Sequence, residues 1–225
     1  MTARDKNGLD GRDLPSNALD RVEWTTKASG AADLRKRYDA WAEAYDVDLL
    51  DGEGYDAVID RVGAVMHRHV PRDARILELG CGTGLVGKAL RQIGYTRLTG
   101  FDLSPKMLDK SRKTQAYRSL QAADLNAGIP AEDASCDAVI AVGTLTYLQP
   151  GILFEVARTL EPGGGFVFTF QPTVHTANGF QEIQDHLVAD GQIRNIHISE
   201  PFAPLPNSLP EVKFRVSVLQ KPVWD

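Results

Sequence analysis

One short stretch, Glu78-Leu79-Gly80-Cys81-Gly82-Thr83-Gly84, indicates the fold of this chain more strongly than any other part of it. An apolar run ends at this stretch, and apolar residues at helical spacing begin directly after it. That order predicts a buried parallel strand, a tight turn and the start of a helix. The alternate glycines lack a Cβ atom, so the turn can bend sharply and lie against a flat ligand. Because Glu78 is acidic, the turn suits a positively charged nucleoside better than a pyrophosphate.

From about residue 74 onward, strands and helices alternate in the sequence pattern, which predicts a doubly wound α/β sheet. Strands are predicted near residues 75–80, 97–102, 118–122, 137–142 and 165–170. Helices are predicted near residues 84–93, 105–113, 150–160 and 178–190, the last with a capping box of Asn178 and Gln181 and a stop at Gly191. A terminal pair of strands is predicted near residues 192–199 and 212–219, because apolar side chains alternate with mostly polar ones in the second of them.

The region before the sheet divides into a polar segment and two helices. Residues 1–30 have little periodic apolar content, so we predict a mobile tail ahead of one domain that spans residues 31–225. The first predicted helix carries an aromatic stripe on one face, formed by Leu34, Tyr38, Trp41 and Tyr45. The second runs from about Tyr55 to His69 and is ended by Pro71.

Composition restricts the class of protein. With 225 residues, 43% of them hydrophobic, the chain can bury one substantial core. A net charge of −5 argues against a nucleic-acid-binding surface, which needs a concentrated basic face. No apolar run reaches the roughly 18 residues of a membrane span, and the N-terminus lacks a signal-type apolar segment. Two cysteines cannot form a disulfide framework, so a cytoplasmic protein is expected, and no metal site is evident.

Several segments resemble motifs of the class I S-adenosylmethionine (SAM) dependent methyltransferases. Residues 78–84 resemble the first motif and residues 100–108 (GFDLSPKML) the second, and residues 123–125 and 160–164 fall where later family segments fall. Residues 38–46 resemble the lead-in helix of small-molecule members and of the Williams–Beuren-region methyltransferase-like branch. The resemblance covers roughly residues 33–219. It implies a seven-stranded Rossmann-like sheet with an antiparallel last strand beside the fifth, N-terminal lid helices, SAM as cofactor and S-adenosylhomocysteine as product.

The resemblance also implies a cofactor site across the carboxyl ends of the strands. Asp102 ends the second strand, where a carboxylate can accept two hydrogen bonds from a ribose diol. Asp124 and the Leu125 amide are expected at the adenine, although an ordinary Asx turn explains Asp124 nearly as well. Leu103 and Met107 are expected as apolar walls of the adenine site, with a core role as the alternative for Met107.

The methionine portion of the cofactor is expected near the glycine turn. Gly80, Cys81 and Gly82 should approach it, Glu78 should attract its positive charge, and Val142 should flank the sulfonium. Tyr38 and Tyr45 either close over the cofactor as a lid or pack on the sheet, since an aromatic stripe on a helix is more often core. One basic residue of the run 35–37 is a candidate partner for the cofactor's carboxylate, the alternative being a solvated face.

Catalysis is expected to need mainly alignment, because SAM carries its own leaving group. The implied reaction is methyl transfer to an O, N or S atom of a small-molecule acceptor. His175 follows the fifth strand in a loop that should face the acceptor, so it is a candidate general base, with a loop histidine without a role as the alternative. Tyr147, beyond the fourth strand, is expected to shape the acceptor pocket.

Two other functions fit parts of the sequence. Residues 82–87 also match the dinucleotide pattern G-x-G-x-x-G, with Asp102 at the expected distance, so an NAD(P)-linked oxidoreductase is an alternative. The length of the chain disfavours it, because such enzymes normally carry a second, substrate-binding domain. A SAM-binding regulatory protein without transferase activity is the third candidate. Titration with SAM and NAD separates the second function from the others, and turnover separates the first from the third.

Overall fold

The computed structural model describes residues 14–223, in which seven strands form one sheet with helices against both faces. Along the chain the strands are β1 Ile76–Leu79, β2 Leu98–Asp102, β3 Ser119–Ala122, β4 Cys136–Ala141, β5 Leu160–Phe170, β6 Arg194–Ile198 and β7 Arg215–Gln220. Their order across the sheet is β3-β2-β1-β4-β5-β7-β6. Strands β1 to β5 pair in parallel, and β7 lies antiparallel between β5 and β6. The predicted fold class and the inserted antiparallel strand are therefore confirmed.

The helices precede the sheet or connect its strands. Along the chain they are α1 Ala18–Thr26, α2 Ala31–Trp41, α3 Tyr45–Val47, α4 Asp56–His69, α5 Leu85–Gln92, α6 Pro105–Lys113, α7 Ile152–Thr159, α8 Pro172–Ala177 and α9 Phe180–Ala189. A π-helical turn, Asp48–Gly52, follows α3, and short 3₁₀ turns lie at Leu125–Ala127 and Leu145–Tyr147. The residues around the strand ends are therefore presented by loops and short turns, as in other open α/β sheets.

The parallel strands are buried on both faces, which explains their near-continuous apolar sequences. On one face, α4 and α5 cover the sheet with a cluster that includes Val62 and Leu90. On the other face, α7 and α9 cover it with a cluster that includes Leu153 and Leu187. Burial of each such side chain contributes about 1.5–3 kcal/mol. The apolar layers on both faces fix the sheet as a rigid base for the strand ends.

The segment 1–30 differs from its prediction. Residues 17–26 are ordered as α1 with Asn17 as its N-cap, whose side chain accepts the Asp20 N–H at 2.9 Å, so the prediction of a mobile tail is wrong there; residues 1–13 lie outside the described residues. The apolar signal was weak because the one buried residue of α1, Thr25, is polar. Thr25 is 1% exposed, and its hydroxyl bonds to the Val22 carbonyl.

Two details near the fifth strand also differ. Asn178 is the C-cap of α8, and α9 begins after Gly179 without a side-chain cap, so the predicted capping box is wrong. Helix α8 was not predicted; it starts with Pro172 directly after Gln171, where proline favours a first helical turn. Strand β5 starts at Leu160, before the predicted glycine turn. The predicted stop at Gly191 is present, with φ +71°.

Candidate functional site

A cavity of about 310 Å³ lies at the carboxyl ends of β1, β2 and β4. This is the point where the strand order reverses between β1 and β4, the usual place for a ligand in an open α/β sheet. Its wall contains most of the predicted cofactor residues: Tyr38, Tyr45, Gly80, Gly82, Asp102, Leu103, Met107, Asp124, Leu125 and Val142. The remaining wall comes from α1, α2 and the loop between them, from Ala123 and Asn126 after β3, and from the segment after β4. The fold thus brings together residues that are more than a hundred positions apart in sequence.

The two central glycines of the turn have different physical roles. Both have positive φ, +67° at Gly80 and +53° at Gly82. A Cβ atom on Gly80 would lie 2.4 Å from the Thr144 Oγ1 atom, so packing alone requires glycine there. A Cβ atom on Gly82 would meet nothing within 4 Å, and Gly82 lines the cavity. The open space at Gly82 is therefore room for a ligand.

The turn's amides disfavour a bound pyrophosphate. The N–H groups of Cys81, Gly82 and Gly84 donate to Phe101 O, Asp102 Oδ2 and Cys81 O at 2.8–2.9 Å. A dinucleotide-binding turn offers its amides to phosphate, whereas these three are satisfied within the protein.

The last glycine of the dinucleotide pattern has a packing role instead. A Cβ atom on Gly87 would lie 2.1 Å from the Tyr117 hydroxyl oxygen. Gly87 therefore makes room for Tyr117, and the dinucleotide pattern is accounted for by packing against that ring.

Asp102 is held in a fixed orientation at the end of β2. Its carboxylate accepts the N–H groups of Gly82 and Ser104, both at 2.8 Å. Burial raises the pKa of Asp102 to about 6, although these two hydrogen bonds act in the opposite direction. The helix-capping role belongs to Ser104, whose Oγ atom accepts the Met107 N–H at 3.1 Å. Each carboxylate oxygen accepts one backbone N–H and keeps acceptor capacity for a ligand hydroxyl.

Glu78 and Cys81 are not among the residues that line the cavity. Glu78 is 2% exposed in β1 and accepts the Tyr117 hydroxyl at 2.9 Å. Burial raises the pKa of Glu78 to about 8, with a smaller contribution from Asp102 in the same direction. The Cys81 side chain packs against Gly100 of β2, where an added Cβ atom would lie 2.9 Å from its sulfur. Both side chains thus lie behind the turn.

At the adenine end, Asp124 has the local role that an Asx turn gives it. Its Oδ1 atom accepts the Asn126 N–H at 3.0 Å and caps the 3₁₀ turn that begins at Leu125. Asp124 is exposed and also lines the cavity, so the two roles coexist. Met107 is 1% exposed and also lines the cavity. It therefore has both of the roles expected for it, as a wall of the cavity and as a core residue.

The predicted lead-in helix is divided into α2, which ends at Trp41, and the short α3 with Tyr45; both line the cavity and are tied to the neighbouring loops. Tyr38 and Tyr45 line the cavity, while Trp41 is 1% exposed and packs edge-on against Tyr45 at 4.7 Å between ring centroids. Asp39 accepts the Ser104 hydroxyl at 2.6 Å, and Asp46 accepts the Thr83 hydroxyl at 2.5 Å.

The basic run 35–37 does not reach the cavity. Arg37 pairs with Asp33 of its own helix at 2.8 Å and donates to the Trp24 carbonyl oxygen. Arg35 lies 4.0 Å from Asp39 and is more than half exposed. The prediction that one of these residues meets a cofactor carboxylate is therefore not supported, and the solvated-face alternative describes Arg35.

Tyr147 lies on the cavity wall with a partner that the sequence did not indicate. Its hydroxyl is 2.9 Å from the Thr25 Oγ1 atom of α1, and its ring lies edge-on to Tyr38 at 5.7 Å. Thr25 lines the cavity too. The spacing of Asn17 and Asp20, a capping pair, was the signal for α1 and hence for Thr25. Burial raises the pKa of Tyr38 and of Tyr147, so both phenols are neutral near pH 7.

The prediction for His175 is wrong. The residue lies in α8 and not in a loop, is 4% exposed, and stacks with the rings of Phe168 and Phe180 at 5.9 and 5.3 Å. Its Nε2 atom is 3.2 Å from Gln184 Oε1. It borders a separate cavity of about 20 Å³ and not the large one. Burial lowers the pKa of His175, so the ring is a neutral core group rather than a base at the acceptor.

The charge of the cavity wall favours a cationic ligand. Its charged side chains are Asp102 and Asp124, both acids, and the other polar side chains of the wall are hydroxyls and amides. Within residues 14–223, no group of three or more His, Cys, Asp or Glu side chains is arranged to hold a metal ion. No helix in that part of the chain is both long and apolar enough to cross a membrane.

Residues 77–168 match the family described as methyltransferase domain. Methyltransferase-like protein 27 of Homo sapiens is 33% identical over 144 residues, which are 61% of this chain and 58% of that protein. Demethylmenaquinone methyltransferase of Tropheryma whipplei is 31% identical over 150 residues, 65% of this chain and 62% of that protein. The 18S rRNA (guanine(1575)-N(7))-methyltransferase of Saccharomyces cerevisiae is 37% identical over 110 residues, 43% of this chain and 40% of that protein. The chain thus spans less than two thirds of the length of these relatives.

A solved structure is similar over most of the chain. It is a methyltransferase bound to the Haloferax volcanii Trm112 activator, with a TM-score of 0.65, 24% identity, and coverage of 85% of this chain and 98% of that one. At this identity the similarity concerns the fold.

Proposed function

The chain belongs to the class I SAM-dependent methyltransferases, and from that premise we propose that it transfers the methyl group of SAM to an O, N or S atom of a small-molecule acceptor. The observation that carries the proposal is the cavity at the ends of β1, β2 and β4, which has space over Gly82, a fixed carboxylate at Asp102 and only acidic charges in its wall. SAM has a positively charged sulfonium and a ribose diol, and both features match this wall.

The residues present fit the cofactor in distinct parts of the cavity. Asp102 would accept the ribose hydroxyls, because it is fixed by two backbone N–H groups and retains acceptor capacity. Leu103 and Met107 would flank the adenine. Tyr38 and Tyr45 would cover the methionine portion beside Gly82, with their hydroxyls as polar partners.

When bound, SAM supplies a methyl group on a sulfonium that is already a good leaving group. The protein's contribution is then to hold an acceptor atom close to that methyl, to align it and to exclude water. Helix α1 and the segment after β4 can do this, because both line the same cavity as Gly80 and Gly82. With His175 buried elsewhere, the polar groups available to an acceptor on this side are hydroxyls and amides.

A small acceptor is favoured over RNA by charge. One relative is named for action on 18S rRNA, but this chain has 30 acidic and 25 basic residues, and its cavity wall is acidic. Binding to an RNA backbone depends on a concentration of basic side chains. We also infer a cytoplasmic location, which is supported by two buried free thiols, Cys81 and Cys136, since free cysteines are typical of a reducing compartment.

Calorimetric titration with SAM, S-adenosylhomocysteine and NAD tests the cofactor. We expect binding of the first two and not of NAD; NAD binding without S-adenosylhomocysteine binding would contradict the proposal. Incubation with methyl-labelled SAM and a cell extract then tests the acceptor. The label should enter the small-molecule fraction and persist after ribonuclease treatment, whereas label confined to RNA would favour the rRNA alternative. Cofactor binding without any transfer would favour the regulatory alternative.

A further inference from the structure

The cavity has two chemically different halves. The charged side chains, Asp102 and Asp124, lie on the side of the strand ends, where the cofactor is proposed to bind. A second part of the wall is formed by α1 and the segment after β4, and its polar side chains are those of Thr25, Thr26, Thr146, Tyr147 and Gln149. These side chains carry no charge, and the phenol of Tyr147 stays neutral because burial raises its pKa. A charged acceptor would find no counter-ion on this side.

Hydrogen bonding fixes the direction of the hydroxyls on this uncharged side. The Thr25 hydroxyl donates its proton to the Val22 carbonyl oxygen at 2.8 Å. A hydroxyl group has one proton. Thr25 must therefore accept the bond that joins it to Tyr147 at 2.9 Å, so Tyr147 is the donor. The Tyr147 oxygen is then left with lone pairs and no proton to offer, and the Tyr38 phenol, whose ring lies 5.7 Å from that of Tyr147, is the other hydroxyl beside it.

We propose that Tyr147 and Thr25 select the acceptor: Tyr147 receives a hydrogen bond from the X–H group of an uncharged O–H, N–H or S–H acceptor, and Thr25 is the positioning residue that keeps Tyr147 from donating. This inference rests on the proposed function, because it assigns the other half of the cavity to the cofactor. It names the acceptor class as uncharged molecules that can donate a hydrogen bond. Thr25 is suited to its role because it is 1% exposed and its hydroxyl is held by the Val22 carbonyl oxygen of the same helix.

Small aromatic probes test the selection without knowledge of the natural acceptor. Phenol, anisole, benzoate and benzylammonium share one ring and differ in donor capacity and charge. Titration of each into the S-adenosylhomocysteine complex, followed by NMR chemical shifts, measures their affinities. We expect phenol to bind about tenfold tighter than anisole, which corresponds to one hydrogen bond of about 1.4 kcal/mol, and tighter than either charged probe. Equal or tighter binding of a charged probe, or no binding of phenol, would overturn the proposal.

Matched variants of the pair test the mechanism of selection. Thr25→Ser keeps the hydroxyl and should keep the preference for phenol. Thr25→Val removes it, frees the Tyr147 proton to point into the cavity and should reduce the ratio of phenol to anisole affinity to near one. Tyr147→Phe should likewise reduce the ratio of phenol to anisole affinity to near one. An unchanged ratio in both Thr25→Val and Tyr147→Phe would refute the assignment, since a purely structural role for Thr25 would not alter donor selection.

A failure of the proposed function remains distinguishable from a failure of this inference. The affinity for S-adenosylhomocysteine is measured first, and the same probe titrations are run on the free protein. If the protein does not bind S-adenosylhomocysteine but still binds phenol more tightly than anisole, the cofactor assignment alone is refuted. Retention of cofactor binding without the preference would refute the acceptor assignment alone.

Discussion

The Thr83 hydroxyl donates a hydrogen bond of 2.5 Å to the Asp46 carboxylate, which joins the glycine turn to the segment that follows α2. A second bond of the same kind runs from Ser104 to Asp39 at 2.6 Å, so the loop after β2 is tied to α2 itself. Both loops that border the proposed cofactor site are therefore linked directly to the lid segment, residues 31–52. A ligand that orders these loops should also order the lid.

Hydrogen exchange of the lid segment should depend on the cofactor. We expect amides of about residues 33–50 to exchange markedly more slowly when S-adenosylhomocysteine is added, because burial of the aromatic face would depend on occupancy. Thr83→Val should increase exchange there in the free protein, while Ser135→Ala, which removes a hydroxyl bonded only to the Glu132 carbonyl, should not. Slow exchange that does not respond to the ligand would identify the lid as ordinary core. Mass spectrometry of exchanged peptides measures the effects of the ligand and of both substitutions.

Tyr45→Phe should separate ligand binding from stability. Within residues 14–223 no protein group accepts or donates a hydrogen bond at the Tyr45 hydroxyl, which borders the cavity, so its removal should leave the melting temperature nearly unchanged and weaken SAM binding. The matched control is Tyr95→Phe, because the Tyr95 hydroxyl bonds to the carbonyls of Met66 and Val70 at 2.7 and 2.9 Å. That variant should lose about 1–3 kcal/mol of stability with unchanged SAM affinity. Equal SAM affinity in both variants would remove Tyr45 from the site.

Asp102→Ala should weaken SAM binding by about 1.5–3 kcal/mol, the usual contribution of hydrogen bonds to a charged group. Asp102→Asn should lose a similar amount, because an amide cannot accept both backbone N–H groups and both ribose hydroxyls. Asp109→Asn alters an exposed acid of α6 that pairs with Arg112, and it should bind SAM normally. Calorimetry on folded variants measures the differences. Unchanged affinity in Asp102→Ala would disprove the ribose assignment.

Substitution of Gly82 should affect ligand binding, whereas substitution of Gly80 should affect stability. Gly82→Val should fold but lose ligand binding, because its side chain would occupy the open space of the cavity; its left-handed backbone costs about 1–2 kcal/mol. Gly80→Ala should mainly lose stability, since its Cβ atom would collide with Thr144. Thermal melts and S-adenosylhomocysteine titrations of both variants distinguish the effects. Normal binding by folded Gly82→Val would separate the turn from the cofactor.

The buried carboxyl of Glu78 should make stability depend on pH. Burial raises the pKa of Glu78 from 4.5 to about 8 in the folded protein, so the folded state holds this proton more strongly than the unfolded state. Its contribution to stability is complete below pH 4.5 and is lost as the pH rises through about 8. Glu78→Gln retains an acceptor for Tyr117 without the charge, so its melting temperature should fall less than that of the wild type between pH 5 and 9. The exposed variant Glu132→Gln is the control. If the melting temperatures of the wild type and of Glu78→Gln change with pH in the same way, this assignment is contradicted.

The strands of the sheet were predictable where the sequence shows a clear apolar run. The runs that became β1 and β4 are apolar because both faces of the sheet are covered, and the acid at the end of β2, Asp102, is visible in sequence order. The order of strands could be predicted only through the family resemblance, since alternation of strands and helices is compatible with several topologies. Helix α1 escaped prediction because a buried threonine takes the place of an apolar residue on its inner face.

The residues of the candidate site were also predictable only in part. Asp102 and Gly82 were predictable, because a residue at a strand end and a glycine in a βα turn occupy defined places in any open α/β sheet. The position of His175 was not, since it depends on how α8 folds back against Phe168 and Phe180. Thr25 and Tyr147 are more than a hundred residues apart, and their contact depends on the packing of α1.

The sequence by itself determined the alternating fold, the glycine turn after the first strand and the carboxylate at the end of the second strand, because these follow from local periodicity, from the absence of a side chain at glycine and from chain order. Only the tertiary structure decided which acid faces the cavity, which glycine has open space beside it and which hydroxyl groups meet in the cavity wall. Those properties arise from burial and from hydrogen bonds between distant segments, as in the pairs Glu78–Tyr117 and Thr25–Tyr147. No local pattern of residues encodes them.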